Sequence, residues 1–421
     1  MVHGGPATVS RPPPGPQPGP PEPAGPWLGP LLAMLVVQTA VSFLSRIPPT
    51  LAPTLAPRVG WPAESVGYLS SLITGGSIAV LLLAAPLQRR AGSMRTLQIG
   101  VALGVAGTLL SALPSALALV TGSLLIGLAI GPPSTAGMDV LQRYAPLRHR
   151  NLLFSVKQAG VPLGGVAAGL LLPGAVQGLG LEGAFVAAAA LGAAAVWLVQ
   201  PWRERVDALR DRSSRLHWRQ FGSIDAVRRP LAVLAAMPAM RRMGVAGACL
   251  ATGQSAWFAF LVTYLVSRLG WSLVAAGALF ALMQVLSALG RPLAGFLSDR
   301  IGDGLRVLRW MAAGSAATTL AFAFCTPAWP TWVVVALAVL AGLTVASWNG
   351  IQFAEVARLA PRDSLGEAMA GATLLLLAAY VAAPVLFGLV LAAGGGYRQA
   401  FVLIAGLTGA ALWPLRPHST T

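Results

Sequence analysis

Acidic residues are scarce: 13 Asp and Glu stand against 29 Lys and Arg in 421 residues, and all charged types together make up 10% of the chain. A soluble domain carries charge on about 25% of its residues, so a water-facing surface cannot be built from this composition. Lysine is nearly absent, with Lys157 the single example. The two cysteines, Cys249 and Cys325, lack the paired spacing of a disulfide framework or a thiolate metal site. His3, His149, His217 and His418 all fall in tails or between apolar runs, which removes histidine metal centres and proton relays. No Gly-x-x-x-x-Gly-Lys-Ser/Thr loop is present to hold ATP. No cofactor, no metal and no enzymatic chemistry are therefore expected. The first 26 residues are Pro- and Gly-rich and have no positive start followed by an apolar core. They read as a disordered cytoplasmic tail and not as a cleavable signal.

What the chain has in abundance is apolar residues, 56% of the total. They form repeated runs of about 20 residues, long enough as helices to cross a hydrocarbon core of about 30 Å. Runs such as Ala187 to Leu198 are continuously apolar, unlike the alternation of a membrane β-barrel. The sequence predicts an all-α membrane protein with spans near 27–50, 65–87, 96–115, 117–141, 151–174 and 181–201, then near 243–266, 272–297, 306–325, 331–355, 365–392 and 397–415. Two six-helix bundles, 27–201 and 243–415, are thus expected around an Arg-rich linker, 202–242, with a short tail at 416–421. From Arg203 to Arg242 that linker holds ten arginines against four acids.

Basic residues concentrate in alternate loops: Arg89, Arg90 and Arg95, then Arg143, Arg148 and Arg150, the linker, Arg300, Arg306 and Arg309, and finally Arg358 and Arg362. Cytoplasmic loops collect Lys and Arg, so a plasma-membrane protein with both termini inside is expected. The same pattern explains the net charge of +16 by topology and contact with anionic lipid, without a nucleic-acid partner. Trp27, Trp197, Trp202, Trp271, Trp310, Trp332 and Trp413 fall near predicted helix ends, where amphipathic rings favour the interface. Trp257 and Trp348 fall inside helices.

The halves echo each other. Ala84-Ala-Pro-Leu-Gln-Arg-Arg90-Ala-Gly92 corresponds to Ala294-Gly-Phe-Leu-Ser-Asp-Arg300-Ile-Gly302, and Arg143-Tyr-Ala-Pro146 to Arg358-Leu-Ala-Pro361. Duplicated halves with a site between them are a transporter architecture. Gly295-Phe-Leu-Ser-Asp299-Arg300-Ile-Gly302 resembles the loop signature of the major facilitator superfamily. In the first half Ala85 and Arg89 stand in place of its glycine and aspartate. The resemblance implies two six-helix bundles that rock about a central cavity, and it makes Asp299 and Arg300 switch candidates. Gly127-Leu-Ala-Ile-Gly131 lacks the arginine many relatives carry, with Ser123 at that position, and Lys157-Gln158-Ala-Gly160-Val-Pro162-Leu-Gly164-Gly165 matches the antiporter signature only in part. Gly290-Arg291-Pro292 is similar to the arginine region of monocarboxylate transporters, where that arginine binds the substrate carboxylate. Their neighbouring aspartate is replaced here by Ser287.

Ionisable side chains inside a bilayer cost about 2.5–3.5 kcal/mol at the helix centre, so each is a functional candidate. Three are cations. Lys157 reads either as a carboxylate counter-ion or as a snorkelling amine. Arg46, before Pro48-Pro49, reads as a bidentate carboxylate binder or an interface anchor. Arg291 reads as a substrate ligand or as a support for Asp299. Gln158, Gln254, Trp257, Asn349, Gln352 and Tyr380 are polar or aromatic groups suited either to orienting a substrate or to joining helices. Asp139 and Glu355 read as structural partners of loop arginines, with a proton-coupling role as the alternative. Three cations without a central acid favour an anionic small molecule: the expectation is a monomeric carrier of a small organic anion, with H+ a candidate coupling ion. An exporter of hydrophobic compounds, or a non-transporting receptor or scaffold, is the alternative.

Overall fold

The computed structural model describes residues 27–146, 150–208, 210, 225–361 and 364–416. Every regular element among them is helical. The tail at 1–26, the end at 417–421, most of the central Arg-rich stretch and all four histidines lie outside the described residues.

The first helical stretch is interrupted where its sequence requires it. α1 (Leu28–Ser45) stops at Arg46, and α2 (Ile47–Leu55) restarts with prolines in its first turn, the one helical position where a missing N–H costs nothing. α3 (Val66–Ala91) and α4 (Ser93–Ser111) are separated by Gly92 at φ 91°, a left-handed conformation that favours glycine. α5 (Ala116–Tyr144) carries Pro132 and Pro133. α6 (Arg150–Val199) is two helical arms joined at Gly180, φ 73°. After the short α7 (Arg203–Val206), the second half begins with α8 (Asp225–Ala236) and α9 (Pro238–Ser267).

α8 departs from the expectation of a solvated linker over 202–242. Pro230 and Leu234 pack against Gly371 and Gly244, which lack the side chains that would hold them off. Burying this apolar edge stabilises a helix that charge counting hides.

α10 (Leu273–Ile301) ends at Gly302, φ 70°, and Asp303 then caps α11 (Gly304–Phe322) by accepting from the Arg306 backbone N–H at 2.9 Å. The first half solves the same problem differently. There the Asp207 carboxylate, from beyond α6, accepts from the Met94 and Arg95 N–H groups at 2.8 and 3.0 Å. α12 (Thr331–Leu343) and α13 (Asn349–Leu359) are two pieces of one stretch, broken over 344–348. α14 (Leu365–Ala392) and α15 (Tyr397–Gly409) complete the chain.

Among the described residues, seven helical stretches are long and apolar enough to cross a membrane, with two shorter apolar helices besides. Trp197, Trp310, Trp332 and Trp413 are exposed on the outer surface. Trp27 and Trp202 instead pack on the core of the first half, Gly29 giving the Trp202 indole its room.

The halves meet through α3 with α14, the first arm of α6 with α10, and α2 with α9. Small residues bring backbones together there: Gly169 lies against Gly277, and Gly67 against the Phe260 ring and the Pro384 carbonyl. Ser71 donates to the Val381 carbonyl at 2.7 Å, and Tyr397 donates to Glu64 at 3.1 Å. These contacts run from the middle of the helices to the end that carries Glu64, opposite the end that carries Asp299.

Candidate functional site

The break after Ser45 leaves Arg46 at the join of α1 and α2, well inside the Leu28–Val59 stretch. Its guanidinium lies 4.3 Å from the centroid of the Phe258 ring on α9, a cation–π contact that fixes its plane. It interacts electrostatically with Tyr380 of α14 and Arg291 of α10. Arg291 in turn interacts with Tyr380, and the Tyr380 side chain also interacts with that of Asn349. Asn349 opens α13 immediately after the broken stretch. Both interrupted helices of this kind, α1/α2 and α12/α13, thus deliver a polar side chain to one place, as broken helices do at transporter sites.

The Nε atoms of Arg46 and Arg291 are buried without a hydrogen-bond partner. Among the described residues neither guanidinium meets a carboxylate, since the ion pairs present use Arg58, Arg143, Arg306 and Arg358. Two half-buried like charges with no carboxylate partner among the described residues repel each other, and each orphaned donor costs about 1–3 kcal/mol. An anion placed between them relieves both penalties.

Buried amides lie on α9 and α10, the helices that carry Phe258 and Arg291. Gln254 lies one turn from Phe258 on the same face of α9, and Ser255 donates to the Tyr380 carbonyl at 2.8 Å. Gln284 of α10, seven residues before Arg291 and so on the same face, is 1% exposed and sits against Gly165. Both polar atoms of its amide lack a partner, as do the amide oxygens of Gln254 and Asn349. Gln284 and Phe258 escape a sequence reading because a neutral amide and a phenyl ring inside apolar helices look like packing. The seven-residue spacing to Arg291 was the available signal for Gln284.

The other sequence candidates sit elsewhere. Lys157 is buried in the first half, its Nζ donating to the Pro133 carbonyl at 2.7 Å, with Gly137 and Met34 beside it. It belongs to the contact of α5, α6 and α1. Gln158 is half-buried on the face of α6 that carries Gly165 two turns on. Trp257 is fully buried, its indole donating to Thr319 at 2.9 Å and tilted over Phe322 at 4.4 Å, which leaves it in the core of the second half. Gln352 is fully buried against α9, where its amide donates to the Met243 carbonyl at 3.5 Å.

Asp139 pairs with Arg143 at 2.6 Å and also accepts from Ser93, while Glu355 pairs with Arg358 at 2.6 Å and lies against Gly304. Each acid lies beside the start of the helix after a glycine turn, Ser93 after Gly92 and Gly304 after Gly302, in matching places of the two halves. Asp299 and Arg300 are exposed at the end of α10, and among the described residues neither forms an ion pair. No group of side chains among the described residues could hold a metal.

Comparison with known proteins agrees with this architecture. The family model of the Major Facilitator Superfamily matches residues 30–351 and 243–420. An uncharacterised MFS-type transporter of Mycobacterium tuberculosis (strain CDC 1551 / Oshkosh) is 27% identical over 376 residues, 85% of this chain and 77% of that protein. A probable nitrate/nitrite transporter of the same organism is 35% identical over 144 residues, 34% of this chain and 35% of that one. Among solved structures, a POT family transporter in complex with 5-aminolevulinic acid superposes with a TM-score of 0.74 at 13% identity, over 91% of this chain and 94% of that one. A bacterial homologue of the human lysosomal transporter Spinster gives 0.64 at 17%, over 91% and 93%. At such identities the structural likeness speaks to the fold alone, whereas the family model spans most of the chain: this protein belongs to the Major Facilitator Superfamily and is a membrane transporter.

Proposed function

We propose that this transporter carries a small organic anion across the plasma membrane by alternating access, with Arg46 and Arg291 as the counter-ions that hold it. The observation that carries this reading is the electrostatic interaction of two half-buried guanidiniums, one from each half, with no acid paired to either among the described residues. A substrate held by both halves couples its own binding to their rocking motion. The similarity of part of the chain to a probable nitrate/nitrite transporter supports an anion as cargo.

On this reading the helices cross the membrane twelve times with both termini in the cytoplasm, as the arginine-rich alternate loops suggest. The contacts at the Glu64 end then belong to a state closed to the outside. Lys157 braces α5 against α6 near Pro133. Glu355 and Asp139, engaged by their arginines, serve the switch between states, and H+ is the candidate coupling ion.

The test is uptake of labelled organic acids into liposomes containing the purified protein, competed in turn by neutral solutes and lipophilic cations. Saturable uptake of an acid, abolished by Arg291→Gln, is the expected result. Competition by hydrophobic cations alone would assign the protein to export of apolar compounds instead.

A further inference from the structure

The charges of the site are not its only unmet groups. Phe258 of α9 and Phe280 of α10 meet edge-to-face, with ring centroids 6.2 Å apart. α9 and α10 run in opposite directions, so Gln254 and Gln284 both lie one helical turn from this ring pair, on its Asp299 side. They are 2% and 1% exposed. Arg46 sits on Phe258 from the first half, and Arg291 follows Gln284 at about 10 Å along the helix. Asn349, at the start of α13, interacts with Tyr380, which interacts with both arginines.

The unpartnered atoms in this group are of two kinds. The Arg46 and Arg291 Nε atoms are donors, whereas Gln254 Oε1, Gln284 Oε1 and Asn349 Oδ1 are acceptors, and Gln284 Nε2 adds one more donor. A bare carboxylate or an inorganic oxyanion brings only acceptors. It satisfies the guanidiniums and leaves the three amide oxygens as they were. Buried polar groups in native proteins are nearly always paired, and a site built to hydrogen-bond a substrate hydroxyl or N–H rejects the analogue that lacks it.

We infer that the cargo is an organic acid carrying several hydroxyl or N–H donors, with its carboxylate between Arg46 and Arg291 and its donors on the amide oxygens of Gln254, Gln284 and Asn349. This rests on the anion reading above and narrows it. It sets Gln284 and Gln254 as specificity-determining residues, and it disfavours both nitrate-like ions and unsubstituted fatty acids.

The experiment compares matched acids on the purified full-length protein: propionate with glycerate, and hexanoate with gluconate, each read by the concentration that protects against thermal unfolding. Within a pair the hydroxylated acid is expected to protect at a concentration lower by about tenfold or more, the equivalent of one net hydrogen bond. Gln284→Leu is expected to narrow that gap, and Gln254→Leu provides the same reading should the first variant fold poorly. Equal protection within each pair, or the same gap in both variants, overturns the inference while leaving an anion carrier standing. Protection by none of the four acids overturns both.

Discussion

Arg46 and Arg291 come from opposite halves of the chain and interact across the middle of the molecule, with the Tyr380 side chain interacting electrostatically with both. Neither has a carboxylate partner among the described residues, so their mutual repulsion is a standing cost that a bound anion removes.

Replacing either arginine with glutamine is therefore expected to act in two directions at once. Affinity for an acid falls by roughly 10- to 100-fold, as a charged hydrogen bond is worth about 1.5–3 kcal/mol. The thermal midpoint of the ligand-free protein stays level or rises, because the repulsion of a half-buried like-charge pair is relieved. Calorimetric titration and unfolding scans on the same samples check both. A ligand-free midpoint that drops together with affinity would indicate a structural role instead.

Phe258→Leu keeps an apolar surface beneath Arg46 and removes its quadrupole. The loss of about 0.5–2 kcal/mol of cation–π attraction predicts an affinity lower by roughly 2- to 30-fold, with unchanged expression. Equilibrium binding of an acid to this variant measures it.

How much of this was legible beforehand differs by residue. The helical character of the apolar runs, the helix restart just before Pro48-Pro49 and the pairing of Asp139 and Glu355 with arginines follow from local sequence, because hydropathy, proline chemistry and one-turn spacing are all short-range. That Arg46 and Arg291 interact, and that Lys157 reaches the Pro133 carbonyl, is a matter of how helices far apart in sequence pack. No periodicity encodes it. The helix α8 was hidden for a related reason: its partner surface is made of glycines on α9 and α14.

Lys157 thus has a separate prediction. With its ammonium on the Pro133 carbonyl, Lys157→Met is expected to change acid affinity by less than about threefold, the behaviour of a site that does not share partners with the arginines. Binding measurements on Lys157→Met beside Arg291→Gln decide it, and a loss of equal size in the two would place Lys157 at the substrate.

Gly169 and Gly277 approach closely at the Glu64 end, and on the proposed alternating-access reading this contact holds that end shut. A bulky side chain there cannot fit against the opposing backbone, so Gly169→Leu is expected to favour the state open at that end. The check is thiol labelling of S71C in a protein with Cys249 and Cys325 replaced, since Ser71 is buried in the same interface. Faster labelling in Gly169→Leu is expected, and an unchanged rate would show that this contact does not set the closure.

Asp207 supplies a cap from outside its own helix, accepting from two backbone N–H groups of α4. Asp207→Ala is expected to cost about 1 kcal/mol, within the range of lost N-caps, read as a lower unfolding midpoint with acid affinity retained.

The most direct measurement is the thermal shift of the purified protein with organic acids, neutral solutes and lipophilic cations, run on the native chain, Arg46→Gln and Arg291→Gln. Stabilisation by acids that disappears in both variants is the predicted result. Stabilisation by neutral or cationic hydrophobic compounds alone, or an acid effect that survives in both variants, would contradict a site built on these two arginines.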